Sequence, residues 1–259
     1  MALIEQKSAG ARGFGLGGGW RFGRRPKMGV RPGPTQARPR AARANAGTGL
    51  GAGRGALAGL VKSGLDRGLA LAALIVLAPV MGLIALAIRL STGEKVFFSH
   101  DRVGLGGRPF GCLKFRTMVP DAQSRLDLIL ASDPVARAEW VEDFKFERDS
   151  RVTRIGRILR KTSLDELPQL INVLRGDMSL VGPRPITRTE AARYGRDYQS
   201  YIRVRPGLTG LWQVSGRSDT TYDERIALDV AYVRHATLGT DLQILARTVV
   251  CVLARRGAV

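Results

Sequence analysis

The sequence predicts an α+β, helix-dominated fold: one folded domain with a proline-broken, re-entrant membrane helix and interfacial amphipathic helices. Three observations predict it. Residues 69–88 (LALAALIVLAPVMGLIALAI) run for 20 residues without a charge. Two short apolar runs, 96–98 and 110–115, flank a glycine-rich turn, VGLGGRPFG, as the strands of a hairpin do. Helical periodicity dominates the rest, with clear amphipathic runs at 221–235 and 241–255.

The apolar run comes first. At about 1.5 Å per residue it is roughly 30 Å of helix, the thickness of a bilayer core. A simple span is the default reading, and two observations argue against it. Lys/Arg excess marks the cytoplasmic side, yet Arg54, Lys62 and Arg67 lie on one flank and Arg89, Lys95, Arg102 and Arg108 on the other. Pro79, in the middle, removes a helical donor, leaves the Ile75 carbonyl without its partner and biases Ala78 away from helix. A helix that bends at Ala78 and Pro79 and leaves by the face it entered satisfies both. Residues 62–92 are therefore expected to be a re-entrant anchor.

Before the anchor, residues 1–56 are rich in Gly, Ala, Arg and Pro and lack apolar periodicity, so a disordered basic tail is expected. No apolar run suited to a secretory leader precedes residue 65. The whole chain carries 41 basic against 22 acidic residues, a net +19, and residues 1–60 hold eleven of the basic residues against Glu5 alone. Such charge attracts phosphate-rich partners, and beside a membrane segment it favours anionic membrane lipid. Nucleic acid is not the expected partner, because that reading leaves the apolar run unexplained and no aromatic recognition motif accompanies the charge. The two cysteines, Cys112 and Cys251, are too few for a disulfide framework or a zinc site. His100 and His235 have no nucleophile pattern nearby, and neither receives a role.

Residues 93–259 read as a soluble domain. A helix pair at 121–146 breaks near Asp133 and Pro134. The run RVTRIGRILRK (151–161) puts Ile155, Ile158 and Leu159 on one face amid Arg154, Arg157, Arg160 and Lys161. It suits either a phosphate-bearing membrane surface or a core-facing helix with a solvated basic side.

The segment KTSLDELPQLINVLRGDMSLVGPRP (161–185) carries the chemistry. Ser163 and Glu166 have capping-box spacing, so a helix is expected to start at Ser163 with Asp165 and Glu166 in its first turn. Such acids commonly just complement the helix dipole. Here Arg160, Lys161, Lys114, Arg116 and Arg184 surround them in sequence, and Pro183 and Pro185 stiffen the chain about Arg184. Paired carboxylates ringed by cations suit phosphoryl transfer. One acid attacks phosphorus, its neighbour holds a hard divalent cation, and the cations neutralise phosphoryl charge.

The proline-broken run, KFRTM (114–118), SLDELPQLINVLRGDMSLVGPRP (163–185) and RPGLTGLWQVSGR (205–217) occur here in one order. Together they resemble the bacterial sugar transferase family, the monotopic polyprenyl-phosphate phosphoglycosyl transferases, over about residues 62–259. The likeness is closest to the short exopolysaccharide-type undecaprenyl-phosphate galactose phosphotransferases. The resemblance implies that Asp165 is a nucleophile forming an aspartyl phospho-sugar, and that Glu166 is its dyad partner, with Mg2+ held by Glu166 and Asp165. It implies donor contacts from Lys114, Arg160, Pro183, Arg184, Pro185 and Arg217, to which the charge pattern adds Arg116, and an anchor break at Pro79. Ala78 departs from the serine that often precedes this proline, and residues 1–56 have no counterpart.

The expected reaction moves a hexose-1-phosphate, galactose first among candidates, from a UDP-hexose to undecaprenyl phosphate with release of UMP. It belongs to the first membrane step of exopolysaccharide synthesis, at the cytoplasmic face of a bacterial inner membrane. A magnesium-dependent phosphohydrolase needs the same residues, with water as acceptor, and remains the alternative. Pairing as a homodimer is left open.

Overall fold

The computed structural model describes residues 52–93, 95–143, 146, 149–216 and 220–254, all within one compact unit, Thr48–Val259. It is helix-dominated with two small sheets. The basic tail read at 1–56 lies outside the described residues up to 51, and from Ala52 the chain is already helical.

Helix α1 (Ala52–Thr92) runs 41 residues with Pro79 inside it. The break expected at Ala78 and Pro79 therefore does not interrupt the helix. A proline costs one i→i−4 bond and opens the turn locally, while the bonds on either side persist. Many of its apolar side chains face outward, among them Ile75, Val76, Leu83 and Leu90. One stripe is covered. Ala70, with Ala73, Leu74 and Leu77, packs against Leu170, Val173, Val181 and Ile244. Beyond Pro79, Ile84 and Ile88 pack against Phe115 and Leu159. Polar contacts tie the first half down: Lys62 Nζ donates to Asp241 Oδ2 at 2.6 Å, and Ser179 Oγ donates to Asp66 Oδ2 at 2.6 Å. Both halves of α1 thus rest on the same body.

Strands β1 (Phe97–Val103) and β2 (Pro109–Phe115) form the expected hairpin, antiparallel with Phe97 opposite Phe115 and Val103 opposite Pro109. The turn between them uses Gly106 and Gly107 at φ +66° and +78°, values a Cβ would oppose. Helices α2 (Ala122–Ser132) and α3 (Pro134–Asp143) break at Asp133, whose carboxylate accepts from the Val135 and Ala136 amides. Helix α4 (Arg154–Lys161) is capped by the Thr153 hydroxyl. Its Leu159 is buried and its Ile155 packs inward, while Ile158 and Arg157 face out, so the core-facing reading describes one side of this helix.

Then follow α5 (Gln169–Arg175), β3 (Ser179–Val181), α6 (Arg188–Ala191), α7 (Tyr198–Tyr201), β4 (Gly207–Thr209), α8 (Leu211–Val214), α9 (Tyr222–His235) and α10 (Leu238–Leu253). Strands β3 and β4 pair in parallel, Ser179 with Gly207 and Val181 with Thr209. This pairing brings the VGPRP and RPGLTG segments together. The Gly207 amide donates to the Pro183 carbonyl at 2.8 Å, and the Gly182 amide to the Thr209 carbonyl at 2.9 Å. The backbones are so close that a Cβ on Gly210 would sit 2.1 Å from the Gly182 carbonyl oxygen. Gly210→Ala is accordingly expected to destabilise the fold by about 2–3 kcal/mol, the upper range for overpacking. A melt of the detergent-solubilised protein should show Tm lowered by roughly 4–12 °C; an unchanged Tm would contradict the close approach.

Candidate active site

The acid pair sits on a tight turn rather than on the helix expected from the Ser163/Glu166 spacing. Ser163 is left-handed, at φ +56°, and its hydroxyl caps nothing. Residues Leu164–Glu166 form a single 3-10 turn, and α5 starts only at Gln169. The cause is Pro168, which has no amide to donate to the Leu164 carbonyl and whose ring crowds that carbonyl. The bonds here are all i→i+3: the Leu167 amide to Leu164 oxygen at 3.3 Å, and the Ile171 amide to Pro168 oxygen at 3.0 Å. Capping boxes exist elsewhere, at Thr187 with Glu190 and at Thr221 with Glu224. The turn buries Asp165 and leaves Glu166 at the edge of a cleft.

Lys114, on β2, reaches both acids: its Nζ donates to Glu166 Oε1 at 2.8 Å and lies 3.6 Å from Asp165 Oδ2. Arg184 Nη1 is 3.8 Å from Glu166 Oε1. Arg160, near the end of α4, donates from Nε to Thr117 Oγ1 at 3.0 Å, and its charge acts on Asp165. Burial pushes the Asp165 carboxyl above the usual aspartate range. Lys114 opposes that shift, Glu166 adds to it, and Arg160 and Arg184 oppose it. Of the expected residues, Lys114, Arg160 and Arg184 are thus assembled around the pair.

Others are not. Arg116 lies past the end of β2, where its Nε donates to the Lys95 carbonyl and its guanidinium covers Phe98. Ala78 and Pro79 sit in α1, exposed. Arg217 lies outside the described residues. Pro185 lines the cleft beside Arg184, and both Pro183 and Pro185 are buried and act through their backbones. Having no amides, they cannot continue the ladder, and neighbours meet the carbonyls of this segment. Gly207 donates to Pro183, the Tyr201 hydroxyl to Arg184 at 3.2 Å, and Arg102 Nη1 to Pro185 at 3.2 Å.

Arg102 was legible in the sequence only as a flanking charge. It lines the cleft with Lys114, Glu166, Gln169, Arg184 and Gln213. Glu190 holds it at 3.0 Å and also meets Arg225 at 3.4 Å. Behind Arg184 lies Asp229, fully buried on α9, which accepts from the Tyr194 hydroxyl at 2.7 Å. Burial raises its carboxyl to about 6, against the pull of Arg225, Tyr194 and Arg184.

A desolvated carboxylate, a second acid beside it and three converging cations form an arrangement whose charges complement a phosphate ester, on a body that carries a helix long and apolar enough to cross a membrane. The bacterial sugar transferase family model matches residues 57–255, and the chain belongs to that family. It is 50% identical over 189 residues to the UDP-galactose-lipid carrier transferase of Erwinia amylovora, covering 73% of this chain and 39% of that protein. It is 55% identical over 166 residues to the undecaprenyl-phosphate galactose phosphotransferase of Salmonella typhimurium, covering 64% and 35%. The exopolysaccharide production protein ExoY of Sinorhizobium fredii is 44% identical over 202 residues, covering 78% and 89%. The matched region therefore spans under two fifths of the first two relatives and most of the third.

Proposed function

We propose that the chain transfers hexose-1-phosphate, galactose-1-phosphate first among candidates, from a UDP-hexose to undecaprenyl phosphate. The observation that carries this reading is the buried Asp165 carboxylate beside Glu166 and within reach of Lys114. An oxygen of Asp165 attacks the sugar-bearing phosphorus. The bond from that phosphorus to the bridging oxygen breaks, and UMP leaves with the electron pair. An oxygen of the lipid phosphate then attacks the aspartyl phospho-sugar, restoring the carboxylate and giving polyprenyl diphosphate-hexose. Lys114, Arg160 and Arg184 offset the negative charge spread over the phosphoryl oxygens in both steps. The names of the Erwinia and Salmonella relatives support both the sugar and the lipid acceptor.

The donor set suits a magnesium ion, which takes one or two carboxylates and completes its shell with phosphate oxygens and water. Glu166 and the second oxygen of Asp165 would hold it, and when bound it would add positive charge at the diphosphate. Arg102 and the braced carbonyls of residues 183–185 keep the cleft wall in register while the donor enters.

A re-entrant placement of α1 at the cytoplasmic face of the inner membrane is part of this reading. Its support is the contact of both helix halves with one body: Lys62 and Asp66 meet Asp241 and Ser179, while Ile88 meets Phe115. A straight span would carry one of these ends across the bilayer, away from the domain it touches. A site beside a shallow anchor serves a cytosolic nucleotide and a lipid that cannot leave the membrane.

Purified protein incubated with UDP-galactose labelled in the sugar, with and without undecaprenyl phosphate, tests the proposal. Label is expected in the lipid fraction only when the acceptor is present. Free sugar phosphate formed regardless of acceptor would replace the transferase with a hydrolase.

A further inference from the structure

Arg184 needs something to hold its guanidinium, and its ion pair cannot. The side chain is one-third exposed, and at 3.8 Å from Glu166 Oε1 it is beyond hydrogen-bond distance. Pro183 and Pro185 stiffen only the backbone. A ring stands beneath it: the Arg184 guanidinium lies over Trp212, 5.4 Å from its centroid.

Trp212 is itself anchored. It stands on α8, directly after the close approach of Gly210 to Gly182, and its Nε1 donates to Thr220 Oγ1 at 2.6 Å. A second guanidinium, that of the buried Arg225, lies 5.0 Å from the same ring and 5.0 Å from Tyr222. Arg193 lies 4.6 Å from Tyr222. Cations and rings therefore alternate from Arg193 to Arg184, each ring lying against two guanidinium groups. Stacking restrains a guanidinium plane while leaving its N–H edge free for two oxygens of a phosphate.

We infer that Trp212, backed by Arg225, is a positioning residue that presents the Arg184 guanidinium to the diphosphate of the donor. The inference rests on the proposed donor site, and it gives the aromatic ring of the RPGLTGLWQVSGR segment a role exerted through Arg184 rather than by contact with substrate.

The test is a double-mutant cycle on donor binding. Asp165→Asn protein, which should bind UDP-galactose without turnover, serves as the parent, and affinity is measured by titration calorimetry. Trp212→Leu is expected to weaken UDP-galactose binding about five- to tenfold, within the range of a partly desolvated cation–π contact. Trp212→Phe should recover most of that loss. In an Arg184→Gln background, Trp212→Leu should change affinity by less than about twofold, because residues acting through one contact are not additive. Equal losses with and without Arg184, or no loss in the single variant, would overturn the assignment. Should the leucine variant not fold by thermal melt, Trp212→Met, whose flexible side chain fills irregular space without a ring, takes its place. If the parent binds no UDP-sugar at all, the transferase reading fails and this inference falls with it.

Discussion

Asp165→Asn is expected to lower UMP release from UDP-galactose by at least about a thousandfold, the scale seen when a covalent nucleophile is removed. The change keeps the shape of the side chain on the Leu164–Glu166 turn, so it isolates the chemistry. The buried amide is neutral, and the neighbours lose one negative charge, which leaves Lys114 paired with Glu166 at 2.8 Å. The fold should therefore survive, as a melt can show. Intact protein mass after brief exposure to donor alone should show a hexose-phosphate adduct on the wild type and none on the variant. Full turnover by Asp165→Asn, or an adduct at another residue, would remove the covalent route.

Lys114→Met is expected to cost about a hundred- to a thousandfold in kcat, the range for removing one preorganised group that stabilises transition-state charge. It should also move the pH profile. Only the ionised carboxylate attacks. Burial and Glu166 already raise the Asp165 pKa, and Lys114 is the largest influence lowering it. The acid limb of the wild-type donor half-reaction should therefore lie above the ordinary aspartate value of about 4. Without Lys114 the upward influences dominate further, and the limb should shift to higher pH. Single-turnover UMP release measured across the acid range reads both effects. An acid limb that stays in place would show that Lys114 does not act on the Asp165 charge.

Several features were legible because one short stretch of sequence carried them. The apolar helix, the glycine turn of the hairpin and the Asp133 break all appear where local pattern put them. The acid pair and three of its cations were also recognisable, since the motif residues lie close together in the chain or in KFRTM. Where reading failed, the cause was physical. Ser163 and Glu166 match a capping box only if Pro168, two residues beyond Glu166, is ignored. The second half of β1 was hidden because His100, Asp101 and Arg102 are polar, although they pair fully with β2. Arg116 looked equivalent to Lys114, yet lying beyond the strand end it turns to Lys95 and Phe98. Arg102, Glu190 and Asp229 are single charges scattered over more than a hundred residues, and only the packing of β1, α6 and α9 gathers them.

The clasp between Lys62 and Asp241 joins positions 179 residues apart. At about 5–20 residues per second of synthesis, roughly 10–40 s separate the emergence of the two from the ribosome. During that interval the greasy first helix exists without the last helix that braces it. On the proposed membrane placement, lipid is the partner at hand for its outward-facing side chains, and insertion would precede assembly of the domain around it. The nascent chain would then be moored before it is competent, and its final helix would close the structure.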